Sequence, residues 1–144
     1  MEMPTPAVPP QSSRRSLVWG LWGLQIVVAI AFCSGGVMKL AMPIPQLAAM
    51  WPWAGDLPSS LVRLLGVIDL LGGIGVLLPS LTRIKPGLAV LAAAGCIALQ
   101  CCAVIFHASR AEYSVLPVNL LLIAVCVVVL WGRWKSVPVQ AHTA

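Results

Sequence analysis

LVRLLGVIDLLGGIGVLLP, residues Leu61 to Pro79, is an apolar run broken by one carboxylate, Asp69, and four glycines, Gly66, Gly72, Gly73 and Gly75. At a rise of about 1.5 Å per residue, a helix of this length extends roughly 28 Å, close to the hydrocarbon thickness of a bilayer. Gly66, Asp69 and Gly73 fall at i−3, i and i+4, on one face of such a helix. The acid therefore lies in a glycine-lined groove against which another helix can pack closely. Arg63 stands six positions earlier, about 240° away around the axis, and cannot pair with Asp69 within the helix. The carboxylate needs a partner from elsewhere.

The whole chain has the same character. Its 144 residues are 60% hydrophobic and only 9% charged, with a mean hydropathy of +0.96, which excludes an ordinary soluble domain and disorder alike. The net charge of +5 does not point to nucleic acid. The basic residues are scattered singly or in pairs at the ends of apolar runs and build no basic face. All five cysteines, Cys33, Cys96, Cys101, Cys102 and Cys126, lie inside apolar segments without a C-x-x-C spacing. They read as buried small hydrophobes.

Working outward, the expected architecture is all-α: an integral membrane four-helix bundle with helices over residues 17–38, 61–79, 87–107 and 115–132. Residues 1–15, rich in proline, read as a flexible tail, and residues 136–144 as a second tail. At the start of the first span, Ser13-Arg14-Arg15 faintly resembles a twin-arginine signal. Ala29-Ile30-Ala31 resembles a cleavage site, and Ile30-Ala31-Phe32-Cys33 a lipoprotein box. Phe32 suits a lipidated cysteine poorly and the apolar run continues past Ala31, so an uncleaved helix is expected. Residues 41–60 carry Pro43, Pro45, Pro52 and Pro58 with Trp51 and Trp53. That segment is too broken to span, and aromatic enough to lie at the membrane surface as a lid or short helix. Four spans put both termini on one side. Arg14, Arg15, Arg83, Lys85, Arg133 and Lys135 fall on the terminal side, and only Lys39, Arg63 and Arg110 on the other. The positive-inside rule then places both termini in the cytoplasm, in a cell membrane of the bacterial inner-membrane kind.

The unusual polar residues converge on the outer half of this plan. Lys39 closes the first helix, Arg63 and Asp69 open the second, His107 closes the third, and Glu112 with Asn119 opens the fourth. Gln100, Ala103 and His107, at i, i+3 and i+7, turn one face of the third helix the same way. An isolated charge at membrane depth costs several kcal/mol unless paired or wet. A polar pocket capped by the Trp51 to Trp53 loop is therefore expected, with Asp69 paired to Lys39. Each residue also has a plainer reading. Lys39 and Arg63 can snorkel to the head groups, His107, Arg110 and Glu112 can be solvated loop residues, and Asn119 can be helix-packing glue. No metal is expected, because one intramembrane histidine and dispersed carboxylates give no ligand spacing.

Phe32-Cys33-Ser34-Gly35-Gly36-Val37-Met38-Lys39-Leu40 resembles the ending of the first helix in DoxX-like membrane proteins. Gly66-Val67-Ile68-Asp69-Leu70-Leu71-Gly72-Gly73-Ile74-Gly75 resembles that family's G-x-x-E-x-x-G-x-x-G element, with Asp69 where the family usually has Glu. The resemblance runs from about Val18 to Trp131. It implies a four-span bundle, and relatives that are subunits of thiosulfate:quinone oxidoreductases or act as assembly chaperones. Two functions follow as expectations. The first is a non-enzymatic scaffold or assembly subunit, whose glycines Gly35, Gly36, Gly66, Gly72 and Gly73 pack membrane helices, with a redox or other membrane protein or a second copy of the chain as partner. The alternative is a redox-linked subunit whose outer pocket binds a quinone. A small-molecule transporter ranks below both, since the first helix lacks the carboxylate on which small four-helix exporters depend.

Overall fold

The computed structural model describes residues 11–136 and 138–140, so the expected tail over residues 1–10, residue 137 and residues 141–144 lie outside the described residues. In chain order the helices are α1 (Gln11–Ala41), α2 (Ile44–Met50), α3 (Trp53–Asp56), α4 (Ser59–Thr82), α5 (Gly87–Ser109) and α6 (Leu116–Trp131). A 3₁₀ turn, Tyr113–Val115, leads into α6, and a π-helical turn, Gly132–Ser136, ends it. Four helical segments, Arg15–Ala41, Ser59–Thr82, Gly87–Ser109 and Tyr113–Ser136, are long and apolar enough to cross a membrane. The protein is a multi-pass membrane four-helix bundle.

Two helix ends differ from the sequence expectation. α1 begins at Gln11, inside the segment expected to be a tail; nothing from Gln11 to Arg15 breaks a helix, and a nucleated helix propagates at little cost. α4 does not stop at Pro79 but runs to Thr82. The proline removes one backbone donor, and its ring crowds the carbonyl of Gly75, four residues earlier. Arg83, at φ 59°, then closes the helix in the left-handed region.

The helices form a ring in which α1 packs along α4, α4 along α5 and α5 along α6, while α6 closes more lightly on α1. The α1–α4 seam is a backbone-to-backbone crossing. A Cβ placed on Gly36 would lie 2.8 Å from the Gly66 carbonyl oxygen, and one on Gly66 would lie 2.9 Å from Lys39 Cβ. Gly72 and Gly75 do the same work against α5, facing Cys96 and Ala92. The glycines expected to pack helices are thus taken up inside the chain, with one exception. Gly35 has room for a methyl, 3.5 Å from Lys39 Nζ, and faces the ion pair rather than a helix backbone.

The buried residues follow helical stripes. Leu21, Gln25, Val28 and Phe32 lie at i, i+4, i+7 and i+11 of α1. Val62, Gly66, Asp69, Gly73, Val76 and Ser80 form the corresponding stripe of α4. Val28, Phe32, Val76, Ala93, Cys96, Cys126 and Val129 meet in the centre as an apolar core. Polar groups interrupt the stripes at two levels, Asp69 and His107 toward the cap and Gln25, Ser80 and Arg133 toward the chain termini. The connector adds a second, smaller core in which Leu47, Ala54 and Val62 are buried under Met38, Met42, Trp51 and Trp53. The proline-broken segment is therefore a folded cap of two short helices.

Candidate functional site: an aromatic-capped polar cavity

Lys39 Nζ lies 2.7 Å from Asp69 Oδ2, the pairing expected from the sequence, with both side chains largely buried. Helix direction explains the reach. The two helices are antiparallel and Lys39 stands level with Gly66, so Asp69 lies about 4.5 Å deeper along α4. Side chains lean toward the N-terminus of their own helix. Lys39 therefore leans into the bundle, while Asp69 leans out toward it. The ammonium is covered by the cap: it sits 5.0 Å from the Trp51 ring and 5.9 Å from the Trp53 ring. Those two indoles are stacked, with ring centroids 6.3 Å apart.

Below the cap is a cavity of about 730 Å³. α1 contributes Phe32, Gly35 and Lys39, α5 contributes Gln100, Ala103, Phe106 and His107, and α6 contributes Val118, Asn119 and Leu122. Of the residues expected to form a pocket, Lys39, Asp69, His107, Glu112 and Asn119 line it, as does Gly35. Arg63 does not. Its guanidinium instead donates to the carbonyl oxygen of Lys39, capping the end of α1. This is a consequence of the six-residue offset that turns Arg63 away from Asp69.

His107 Nδ1 lies 2.6 Å from Glu112 Oε2. Arg110 Nε donates to Glu112 Oε1 at 2.8 Å, and the same guanidinium contacts Asp56 of α3. Arg110, and secondarily His107, hold the Glu112 carboxyl below its ordinary pKa. Glu112 is therefore a carboxylate near neutral pH, and Nδ1 of His107 carries the proton it donates. The chain Asp56–Arg110–Glu112–His107 straps the cap to the loop between α5 and α6. The ring of Trp53 adds edge contacts to Phe106 and His107 at 6.3 Å. One cavity residue is left incomplete: Asn119 Nδ2 is buried with no hydrogen-bond partner among the described residues. Those residues also hold no group of three His, Cys, Asp or Glu arranged as metal ligands.

Sequence reading missed a second polar cluster, at the opposite end. Gln25 is fully buried. Its Nε2 donates to the Val76 carbonyl at 2.7 Å and to Ser80 Oγ at 3.0 Å, and its Oε1 accepts from Arg133 Nε at 2.7 Å. Arg133 had counted only as a topological marker. The signal was present in the stripes. Gln25 continues Leu21 and Val28, and Arg133 continues Cys126 and Val129 at i, i+3 and i+7, so a polar residue on a core face was legible at both positions.

No curated protein and no solved structure matches this chain. The sequence model of the DoxX-like family matches residues 23–129, which reaches into all four spans and takes in the glycine seam, the Lys39–Asp69 pair and the cavity. The chain belongs to the DoxX-like family.

Proposed function

We propose that the chain is a membrane subunit that holds a quinone head group in the cavity beneath Trp51 and Trp53, on behalf of a redox partner. The observation that carries this reading is the unpartnered Nδ2 of Asn119 in an aromatic-lined cavity. A buried amide donor without an acceptor costs about 1–3 kcal/mol, and a ring carbonyl between aromatic walls would remove that cost. A bound quinone supplies two-electron, two-proton chemistry; the electrons come from the partner. The chain's own contributions are positional and protonic. Asn119 Nδ2 would donate to one quinone oxygen, the Lys39 ammonium is held toward the cavity by Asp69, and His107, with Nδ1 committed to Glu112, would present Nε2 to the ligand. Addition of a short-chain quinone should quench tryptophan fluorescence through Trp51 and Trp53. Asn119→Leu should raise the apparent Kd about tenfold, the loss of one net hydrogen bond. An unchanged Kd would remove Asn119 from the site.

A scaffold or assembly role is the second reading, favoured by open small-residue positions. Cβ atoms placed on Gly20, Gly23 or Gly95 meet nothing within 4 Å, and Ala94 and Ala98 are exposed beside Gly95. A partner helix or a second copy could approach there. We also infer that both termini are cytoplasmic, from the six-to-three split of basic residues. That orientation puts the cavity in the outer leaflet of a bacterial inner membrane. Reporters fused after Lys135 and within residues 83–85 should read cytoplasm, and one within residues 54–56 the outer side. A reporter after Lys135 on the outer side overturns the orientation.

A further inference from the structure

We propose that Arg133, fixed by Gln25 and Trp22, is a binding site for the phosphate group of an anionic phospholipid, at the end of the bundle opposite the cavity. The residue is only 5% exposed. Its Nε donates to Gln25 Oε1 at 2.7 Å, one face of the guanidinium lies 4.8 Å from the Trp22 ring centroid, and Nη2 is buried with no hydrogen-bond partner among the described residues. Gln25 cannot turn to serve it further, because its amide nitrogen is already committed to Val76 and Ser80. One face and the Nε of the guanidinium are thus occupied, and Nη2 lacks an acceptor among the described residues.

Among the described residues the charge has no acidic partner either. The described acids, Asp56, Asp69 and Glu112, all lie at the other end of the bundle and are paired there with Arg110, Lys39 and His107. The fourth acid of the chain, Glu2, is outside the described residues. The other described charges toward the terminal end of the bundle, Arg15, Arg83, Lys85 and Lys135, are all basic and all exposed. Arginine does not shed its proton in proteins, so burial here is relieved by an incoming anion rather than by neutralisation. A desolvated guanidinium edge matches the paired oxygens of a phosphate, and a lysine there would supply only a point charge.

The surroundings favour a lipid as the source of that phosphate. Trp19, Trp131 and Trp134 are 72%, 56% and 64% exposed, an aromatic belt of the sort that lies at the depth of the head groups. Acyl chains would continue along the exposed apolar surface of α6 at Val127 and Val128. The local chain geometry also serves the site. Gly132 lets α6 close on Leu21, since a Cβ there would clash with a Leu21 methyl, and the π-helical turn keeps Arg133 buried while Trp134 and Lys135 stay exposed.

The test uses the full chain purified in a mild non-ionic detergent, titrated with phosphatidylglycerol, with phosphatidylcholine, or with inorganic phosphate. Melting temperature and native mass spectrometry are the two readouts. Phosphatidylglycerol should raise the melting temperature by several degrees and leave one lipid bound in the gas phase, whereas phosphatidylcholine and inorganic phosphate should do neither. Arg133→Met should lose the shift and the retained lipid, Arg133→Lys should keep only part of both, and the exposed Arg83→Met should behave as wild type. Equal shifts from both lipids, or a full shift from inorganic phosphate alone, would overturn the lipid site in the wild-type protein whether or not the Arg133 variants fold. Retention of the phosphatidylglycerol shift in Arg133→Met would overturn the residue assignment.

Discussion

Asp69→Asn and Lys39→Met are each expected to destabilise the bundle by about 3–5 kcal/mol, because each leaves one partner of a buried, hydrogen-bonded pair unpaired. The geometry makes the pair mutual. Among the described residues the only carboxylate beside the Lys39 ammonium is Asp69, at 2.7 Å, and Trp51 and Trp53 also flank that ammonium. The double variant Asp69→Leu, Lys39→Met removes both charges together and should recover most of the loss, since a buried pair replaced by apolar residues is often neutral or stabilising. Thermal unfolding in detergent reads all three. A double variant as unstable as the sum of the singles contradicts the pairing. Singles that keep their stability but lose quinone quenching would assign the pair to ligand binding alone.

The second large effect is a contrast between neighbours. Gly36→Ala should cost about 1–3 kcal/mol through overpacking, because the new methyl would lie 2.8 Å from the Gly66 carbonyl oxygen and 3.0 Å from the Leu70 backbone nitrogen, neither of which can rotate away. Gly35→Ala, one residue earlier, meets Lys39 Nζ at an ordinary 3.5 Å and should be neutral or slightly stabilising, since alanine outranks glycine in a helix interior. Unfolding midpoints of the two variants check this directly. Equal midpoints would mean that α1 and α4 do not meet through backbone at Gly36.

The same contrast shows what the sequence could and could not convey. The apolar lengths and the spacing of Gly66, Asp69 and Gly73 were enough for the four spans and for the partner of Asp69, because helical periodicity and the cost of a lone buried charge leave few arrangements. Separating Gly35 from Gly36 required the rotation of α1 about its axis, which differs by about 100° between adjacent residues and is set by packing rather than composition. Arg63 left the expected pocket for a similar reason. An exposed carbonyl at the end of α1 competes for a guanidinium, and that competitor is invisible until the helix end is placed. The cap was legible as a surface segment from its prolines and tryptophans. Its small core around Leu47 depends on how the two short helices fold back over Met38 and Val62, and the Arg110 strap on a contact with Asp56, 54 positions away. The Gln25 and Arg133 cluster was readable in principle from the buried stripes. Basic residues near a span end are read first as topology, and that reading concealed it.

The measurement that tests the central claim most directly is a fluorescence titration with a short-chain quinone, run side by side on the wild type, Asn119→Leu and a Trp51→Phe, Trp53→Phe variant. A cavity site predicts saturable quenching in the wild type, the same amplitude at an apparent Kd about tenfold higher in Asn119→Leu, and most of the amplitude gone when both cap tryptophans are replaced. Quenching that rises without saturation and with equal slope in all three proteins would be partitioning of the quinone into detergent, and would contradict the site.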